Sequence, residues 1–375
     1  MTPILHLKWY VNNCLAFLVF NILRISFYKK SNNKEGILFI NTGTLGDVVI
    51  TSLILDNRNI IAEKRKIFLV IKQEYSDLFK NYDGGVKIVC FEQKKYKWSL
   101  IYRIKFLRQL HSYRIKLCIN LTSARGISSD EIALLSGAKT VWCFNNSWRE
   151  LKKAFGKKMD SYYDRILFED LFNEYEKHYR LLELLQQRDE KTYSFNLSSA
   201  ENDNLDYLKR YNIPQKYLVI APQSADPNRT WGEHNYKLFC QMITHQVNII
   251  LIGSEKERLR IEKIKDDNYR IMNLAGKLKL DEVRTLIKRS SLFIGNDSGL
   301  SHLALKTNVP MIAIIGGGSY RRYFPFNETD TRLFLYNAMD CFGCEWKCHL
   351  KEKFCLTRVD PIEVHKKAMQ LLEKK

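Results

Sequence analysis

One pattern recurs along this chain and limits its folds more than any other feature: a short unbroken apolar run, a glycine-containing turn, then a stretch with helical spacing. It appears first at Ile37-Leu38-Phe39-Ile40, with the turn Asn41-Thr42-Gly43-Thr44-Leu45-Gly46-Asp47 and a helical run from Val48 to about Leu55. Short apolar runs bounded by turn signals read as buried strands, and strands alternating with helices make a mostly parallel sheet with helices on both faces. Further strands are predicted at Lys66–Ile71, Val86–Phe91, Leu117–Asn120 and Thr140–Phe144. The series restarts at Tyr217–Ala221 and continues at Val247–Ile252, Ile271–Leu274, Leu292–Ile294 and Met311–Ile315. Between Asp160 and about Asn204 the chain is polar and charged with helical spacing, which predicts a helical connection without a strand.

Two strand-helix sets of similar size predict an α/β protein with two facing, Rossmann-like, doubly wound domains. The expected division is a membrane-proximal segment 1–34, an N-terminal domain 35–200 that includes the helical connection, a C-terminal domain 201–360, and a closing helix 361–375 packed on the first domain. With 375 residues, 45% of them hydrophobic, the chain has core material for both domains, which excludes a disordered or fibrous protein.

Sixty Lys and Arg against 41 Asp and Glu leave a net charge of +19, which favours anionic partners: nucleic acid, anionic lipid or phosphorylated saccharide. Charge alone does not choose among them. Gln93 to Asn120 holds eight basic residues (Lys94, Lys95, Lys97, Arg103, Lys105, Arg108, Arg114, Lys116) and no acidic one, interleaved with Tyr96, Trp98, Tyr102, Phe106 and Tyr113. Such a segment can bind anionic lipid or, less readily here, nucleic acid; the alternative is a solvated helix with an aromatic stripe facing the core. Trp9 to Tyr28 is rich in large apolar residues, but only Cys14 to Phe20, seven residues, run without a polar side chain. That is short of the roughly 18 to 20 apolar residues of a spanning helix. The expectation is an interfacial helix followed by basic Lys29, Lys30 and Lys34; the alternative is a helix packed on the protein's own surface.

Nine cysteines, an odd count in a long chain, fit a reduced, cytoplasmic protein better than a secreted disulfide scaffold. Four of them, Cys341, Cys344, Cys348 and Cys355, lie within 15 residues. They could hold a structural zinc, form disulfides or remain free thiols.

Three segments carry candidate chemistry. Ser291–Gly295 reads as a buried strand, and Asn296-Asp297-Ser298-Gly299 as a turn with cap-type residues before the helix Leu300–Lys306. A helix start there presents free N–H groups and a partial positive charge suited to a diphosphate, with His302 on its first turn. Pro222 to Trp231 places Ser224 and Arg229 at a strand's carboxyl end, and Gly253-Ser254-Glu255 places a carboxylate at the same kind of edge. Ligands of open α/β sheets bind there, where a carboxylate can accept from ribose hydroxyls.

In this order, Pro222–Trp231, Gly253–Glu255, Asn273–Gly276 with Leu280–Val283, and Gly295–His302 followed by Thr307–Pro310 and Ile314–Gly316 resemble the bacterial heptosyltransferase family. This is glycosyltransferase family nine, which builds the lipopolysaccharide inner core. Asn41–Asp47 is similar to the family's amino-terminal glycine turn. The resemblance implies the GT-B fold, with acceptor on the first domain and nucleotide sugar on the second, and inversion at the anomeric carbon without a metal ion or cofactor. It makes Asp47 the general base and Thr42, Gly43, Thr44 and Gly46 the acceptor-side turn. Ser224 and Arg229 would contact donor phosphates, Glu255 the ribose, and Asp297, Ser298, Gly299 and His302 the diphosphate and donor sugar. The chemistry agrees: an attacking hydroxyl must lose a proton, and a departing nucleoside diphosphate gains negative charge. Implied partners are a nucleoside-diphosphate sugar such as ADP-heptose, an anionic lipid-linked saccharide acceptor and the cytoplasmic face of the membrane, with no nucleic acid. A UDP-N-acetylhexosamine donor, or a non-catalytic saccharide- or nucleotide-binding protein, remains the alternative. Family members commonly carry Lys or Arg where this chain has Asn41, and Thr where it has Ser298.

Overall fold

A computed structural model describes residues 3–27, 35–61, 66–80, 85–145, 153–186, 205–265, 268 and 270–374. The chain forms two compact units, Met1–Leu171 with Lys177–Tyr193, and Phe172–Glu176 with Ser194–Lys375. Lys29, Lys30, Lys34 and the expected boundary between residues 200 and 201 lie outside the described residues.

The first unit runs α1 (Pro3–Phe27), β1 (Gly36–Ile40), α2 (Leu45–Asp56), α3 (Arg58–Ile61), β2 (Ile67–Lys72), β3 (Val86–Phe91), α4 (Gln93–Trp98), α5 (Leu100–Ser112), β4 (Ile115–Asn120), α6 (Ile127–Leu134), β5 (Thr140–Phe144), α7 (Lys153–Asp160) and β6 (Arg165–Leu167). Next comes α8 (Glu174–Leu185), whose opening residues belong to the second unit. The second unit continues with α9 (Asp206–Arg210), β7 (Tyr217–Ala221), α10 (Glu233–Ile243), β8 (Asn248–Leu251), α11 (Arg258–Lys265), β9 (Ile271–Asn273), α12 (Leu280–Arg289), β10 (Leu292–Asn296), α13 (Gly299–Thr307), β11 (Met311–Ile314), β12 (Arg332–Leu335), α14 (Phe354–Thr357) and α15 (Pro361–Glu373).

Both sheets are parallel and six-stranded, ordered β3-β2-β1-β4-β5-β6 and β12-β11-β10-β7-β8-β9. Each is wound outward from two central strands, the doubly wound order expected for the GT-B architecture. The inner strands β1, β7, β10 and β11 are buried along their whole length, as strands covered by helices on both faces must be.

Four expectations need correcting. The stretch taken as a strandless connection contains β6, which pairs with β5 from Trp142↔Arg165 to Phe144↔Leu167. It is a three-residue edge strand with one fully buried side chain, too short to stand out from charged surroundings. Segment 1–34 is not a separate domain: Phe20 and Leu23 of α1 pack with Leu107, Leu135 and Met159 of the first unit. The opposite face leaves Leu15, Leu18, Ile22 and Ile25 exposed. No helix among the described residues is long and apolar enough to cross a membrane.

The closing helix α15 packs on the second unit, not the first. Val364, Ala368 and Leu371 form one apolar stripe that enters the core with Trp231, Tyr236 and Phe239. Lastly, the basic run is not all surface charge. Arg103 is buried and ion-paired with Glu131, whose Oε1 also accepts from Tyr96 Oη at 2.7 Å, while Phe106 is buried in the core. Lys94, Lys95, Lys97, Lys105, Arg108, Arg114, Lys116 and Trp98 are exposed.

Leu371 is 3% exposed, so truncating it leaves a cavity in the second core. Leu371→Ala is expected to cost about 2–5 kcal/mol in urea denaturation; an unchanged midpoint would show that α15 is not docked.

Candidate active site

At the carboxyl end of β1 the chain must reverse into α2, and Asn41, fully buried, organises the turn. Its Nδ2 donates to Asp47 O at 3.1 Å and Thr51 Oγ1 at 2.6 Å, and its Oδ1 accepts from Gly43 N at 2.9 Å. Thr44 caps α2, and Asp47 answers from the third helical position: its Oδ2 accepts from Thr44 N at 2.7 Å and Thr44 Oγ1 at 2.8 Å. The carboxylate lies so close over Gly43 that a Cβ there would sit 2.4 Å from Oδ2, so only glycine fits.

The neighbouring central strand supplies the rest. In the loop after β4, Ser123 Oγ donates to Asp47 Oδ1 at 2.6 Å, and Thr122 Oγ1 accepts from Thr42 N at 3.0 Å. Arg125, fully buried, braces this loop by donating to Asp130 Oδ1 at 3.0 Å and pairing with Asp160. Asp130 Oδ1 also accepts from Asn120 Nδ2 at 3.2 Å and Tyr163 Oη at 2.8 Å. Burial pushes the Asp130 carboxyl up, against the pull of Arg125. A carboxylate has about four lone-pair positions, and three at Asp47 are taken, so one more donor can be accepted.

The second unit repeats the arrangement. Asn296 ends β10 and ties the two central loops together: its Nδ2 donates to Pro222 O at 2.9 Å and its Oδ1 accepts from Trp231 N at 2.9 Å. Next to it, Asp297 is buried, and its Oδ2 accepts from Ser319 Oγ at 2.6 Å with Arg229 Nη1 at 3.8 Å. Ser298 occupies the N-cap of α13 with no side-chain hydrogen bond to the helix. Four buried atoms here make no hydrogen bond: Gln223 Oε1, Asp297 Oδ1, Ser298 Oγ and Arg229 Nε, the last 3.9 Å from Asp226 Oδ2. Buried polar groups are nearly always hydrogen-bonded, so a cluster of orphans is where a polar ligand belongs. Two donate and two accept around a helix start, which suits a phosphorylated, hydroxyl-bearing ligand.

His302 is 3% exposed, with Nδ1 bonded to Tyr175 Oη at 2.7 Å and its ring stacked on Phe324 at a 4.4 Å centroid distance. Phe172–Glu176 joins the second unit through this bond, through Tyr175 stacked on Phe326 and through Glu174 paired with Arg322.

Glu255 is exposed and paired with Arg258 at 3.3 Å. Its carboxylate crosses Gly276, where a Cβ would lie 2.1 Å from Oε2 and φ is +73°. It opens onto a groove of about 920 Å³ lined in part by Lys256, Leu259, Ile271, Met272 and Lys277. The structure thus gathers Thr42, Gly43, Thr44 and Asp47, with Gly46 buried in the first turn of α2, and separately Arg229, Asp297, Ser298 and the α13 start, with Gly299 its first residue. Ser224 is half-buried on the same β7 loop with no hydrogen bond to fix its side chain, and Glu255 stands at the next strand, β8.

All four clustered cysteines are free thiols in this structure. Their thiols are close enough that Cys341, Cys344 and Cys348 add to the burial that pushes Cys355 up. Among the described residues no group of three or more His, Cys, Asp or Glu is placed to hold a metal ion.

Ser123, Tyr175 and Ser319 escape sequence reading because they reach their partners across 76, 127 and 22 residues. The signal available for Ser123 was its place just beyond a predicted central strand.

The family model for glycosyltransferase family 9 (heptosyltransferase) matches residues 137–350. The lipopolysaccharide core heptosyltransferase OpsX of Haemophilus influenzae is 28% identical over 164 residues, 40% of this chain and 47% of that protein, so the match spans about half of that relative. Lipopolysaccharide heptosyltransferase 1 of Campylobacter coli is 22% identical over 89% of this chain and 98% of its own length. Among solved structures, E. coli ADP-heptose LPS heptosyltransferase II superposes with a TM-score of 0.70 at 17% identity, covering 90% of this chain and 99% of that one.

Cys355 is buried and its thiol is pushed up, while the other three clustered cysteines are half-exposed. A chromogenic thiol reagent at mildly alkaline pH is expected to modify Cys341, Cys344 and Cys348 well before Cys355. Equal rates at all four, read by mass spectrometry, would contradict this packing.

Proposed function

This chain belongs to glycosyltransferase family 9, the heptosyltransferases, and on that premise we propose that it transfers heptose from ADP-heptose to a lipopolysaccharide-core or similar lipid-linked acceptor. The transfer inverts the anomeric carbon and uses no metal ion. The observation that carries the reading is the cluster of unpartnered buried groups beside the α13 start: Arg229 Nε and Ser298 Oγ as donors, Gln223 Oε1 and Asp297 Oδ1 as acceptors. Arg229, Ser224, Ser298 and the first amides of α13 bind the diphosphate. Asp297 and Gln223 accept from donor-sugar hydroxyls, His302 lines the sugar in the orientation set by Tyr175, and Glu255 accepts from the ribose. The names of the relatives support the donor.

Asp47 takes the proton from the acceptor hydroxyl at its one remaining lone-pair position. The hydroxyl oxygen bonds to the anomeric carbon as the bond from that carbon to the phosphate oxygen breaks. The electron pair leaves on ADP, whose growing charge Arg229 and the helix start offset. Thr44 and Ser123 hold the Asp47 carboxylate still, so its orientation is set before the acceptor arrives. Asn41 closes the turn by hydrogen bonds and carries no charge, so contacts to acceptor charge must come from other residues.

Asp47→Asn is expected to lower turnover of ADP-heptose by roughly 10²–10⁴-fold while ADP still raises the unfolding temperature. Turnover within a few-fold of the intact enzyme would remove Asp47 as the base. In the same assay, activity should survive EDTA and the product anomer, read by proton NMR, should be opposite to the donor's. A larger thermal shift with UDP-N-acetylglucosamine than with ADP-heptose would reassign the donor.

We place the enzyme at the cytoplasmic membrane face. Support comes from the exposed Leu15, Leu18, Ile22 and Ile25 stripe on α1 and from exposed Trp98 and Ile101 among Lys94, Lys95, Lys97 and Lys105. Apolar insertion with flanking positive charge is the signature of interfacial binding to anionic lipid. Sedimentation with phosphatidylglycerol vesicles should fall severalfold in Ile22→Glu/Ile25→Glu. Binding unchanged by the double substitution would shift the contact away from α1.

A further inference from the structure

The segment that carries the clustered cysteines also carries the least comfortable backbone in the second unit. Glu345 and Trp346 are consecutive and both left-handed, at φ 49° and 63°. A bulky residue rarely adopts that conformation, and where it persists the surroundings impose it. Here the surroundings are a glycine cradle after β11. A Cβ on Gly316 would lie 2.6 Å from Trp346 Cη2, and one on Gly318 would lie 2.3 Å from Trp346 Cδ2. Gly343 N donates to Gly317 O at 2.8 Å and fastens the segment to the same turn. The indole therefore lies flat on the Gly316–Gly318 backbone, and no other residue type at those two glycines would admit it.

A second neighbour of the indole gives the strained placement a use. The Arg229 guanidinium carbon is 5.7 Å from the ring centroid. Trp346 Nε1 is buried and has no hydrogen-bond partner, as is Arg229 Nε beside it. With Ser298 Oγ, this makes three donors without a hydrogen bond, Arg229 Nε standing 3.9 Å from Asp226 Oδ2, on or against the turns that follow β7, β10 and β11, which are neighbours in the sheet. A buried N–H without a partner is uncommon. Three donors on one sheet edge, one of them a guanidinium, form a site for an anion with several oxygens.

Resting on the donor-site reading above, we propose that Trp346 is a further diphosphate-binding residue: its indole N–H donates to a phosphate oxygen of the nucleoside diphosphate, and its ring face orients Arg229 toward the same group. The cysteine-rich segment is then a wall of the donor site, and its work is to hold one tryptophan in a backbone conformation that the glycine turn makes possible.

The test compares the intact protein with Trp346→Phe, which keeps an aromatic ring on the cradle and removes the N–H. Calorimetric titrations with ADP, UDP and GDP come first. Failure of the intact protein to bind any of the three sinks the donor-site reading itself, and this proposal with it. If one binds, W346F is expected to weaken that Kd by roughly tenfold or more, the scale of a lost hydrogen bond to a charged group. Its unfolding temperature without ligand should stay unchanged. Equal affinity in W346F and the intact protein overturns the proposal and leaves the donor-site reading standing. A second measurement does not rest on the affinity of W346F: in the intact protein labelled with ¹⁵N-tryptophan, the Trp346 indole resonance, assigned by its absence from the spectrum of whichever of W346F and W346Y folds, should move on addition of the bound diphosphate. An indole signal unmoved at saturation overturns the proposal as well.

Discussion

A parallel sheet wound outward in both directions from its middle has one place where the connections on two adjacent strands leave for opposite faces. At that place the loops separate and a crevice opens at the carboxyl edge. This chain has two such places, between β1 and β4 and between β7 and β10, and each holds one half of the proposed machinery. Asp47 and Ser123 meet at the first because their loops leave neighbouring strands; Arg229 and Asp297 meet at the second for the same reason. The winding order thus explains why residues far apart in sequence share a site. Asn120 and Asn296, each the last residue of its central strand, then fix the loops by side-chain bonds that no ladder supplies.

Much of this was legible along the chain. The buried strands are unbroken apolar runs, so β1, β7 and β11 stand where periodicity puts them, and the turn from Asn41 to Asp47 announces itself by its glycines and its cap. What escaped was of two kinds. Edge elements such as β6 and β12 are only partly buried, and their mixed composition carries no period to read. Partner choice is the other kind. The stripe Val364, Ala368, Leu371 shows that α15 buries a face without showing which core receives it, and the Gln93–Asn120 charge run does not reveal that Arg103 meets Glu131 in the interior. The cysteine spacing was plain, whereas the tryptophan between those cysteines attracted no notice because its meaning depends on Gly316 and Gly318 across the fold.

The buried charges of the first unit answer to the same geometry. Arg125 and Asp130 are wholly withdrawn from solvent, and such a pair adds little stability over an apolar replacement while loss of one partner is severe. Its value lies in position: Arg125 holds the loop that presents Thr122 and Ser123 to the glycine turn. A network of this kind fixes one loop conformation, and the order of the turn that carries Asp47 depends on it.

Trp231 is wholly buried where the β7 loop enters α10, and its indole donates to Val359 O at 2.9 Å, while Asn235 reaches Thr357 O at 3.2 Å. The loop that carries Arg229 is therefore moored to the chain just ahead of its final helix. A protein engineered to end before Thr357, or spliced there to a fusion partner, loses that mooring. It would be expected to bind phosphate more weakly at the proposed donor site even though Ser224, Arg229, Asp297 and Ser298 were all still present.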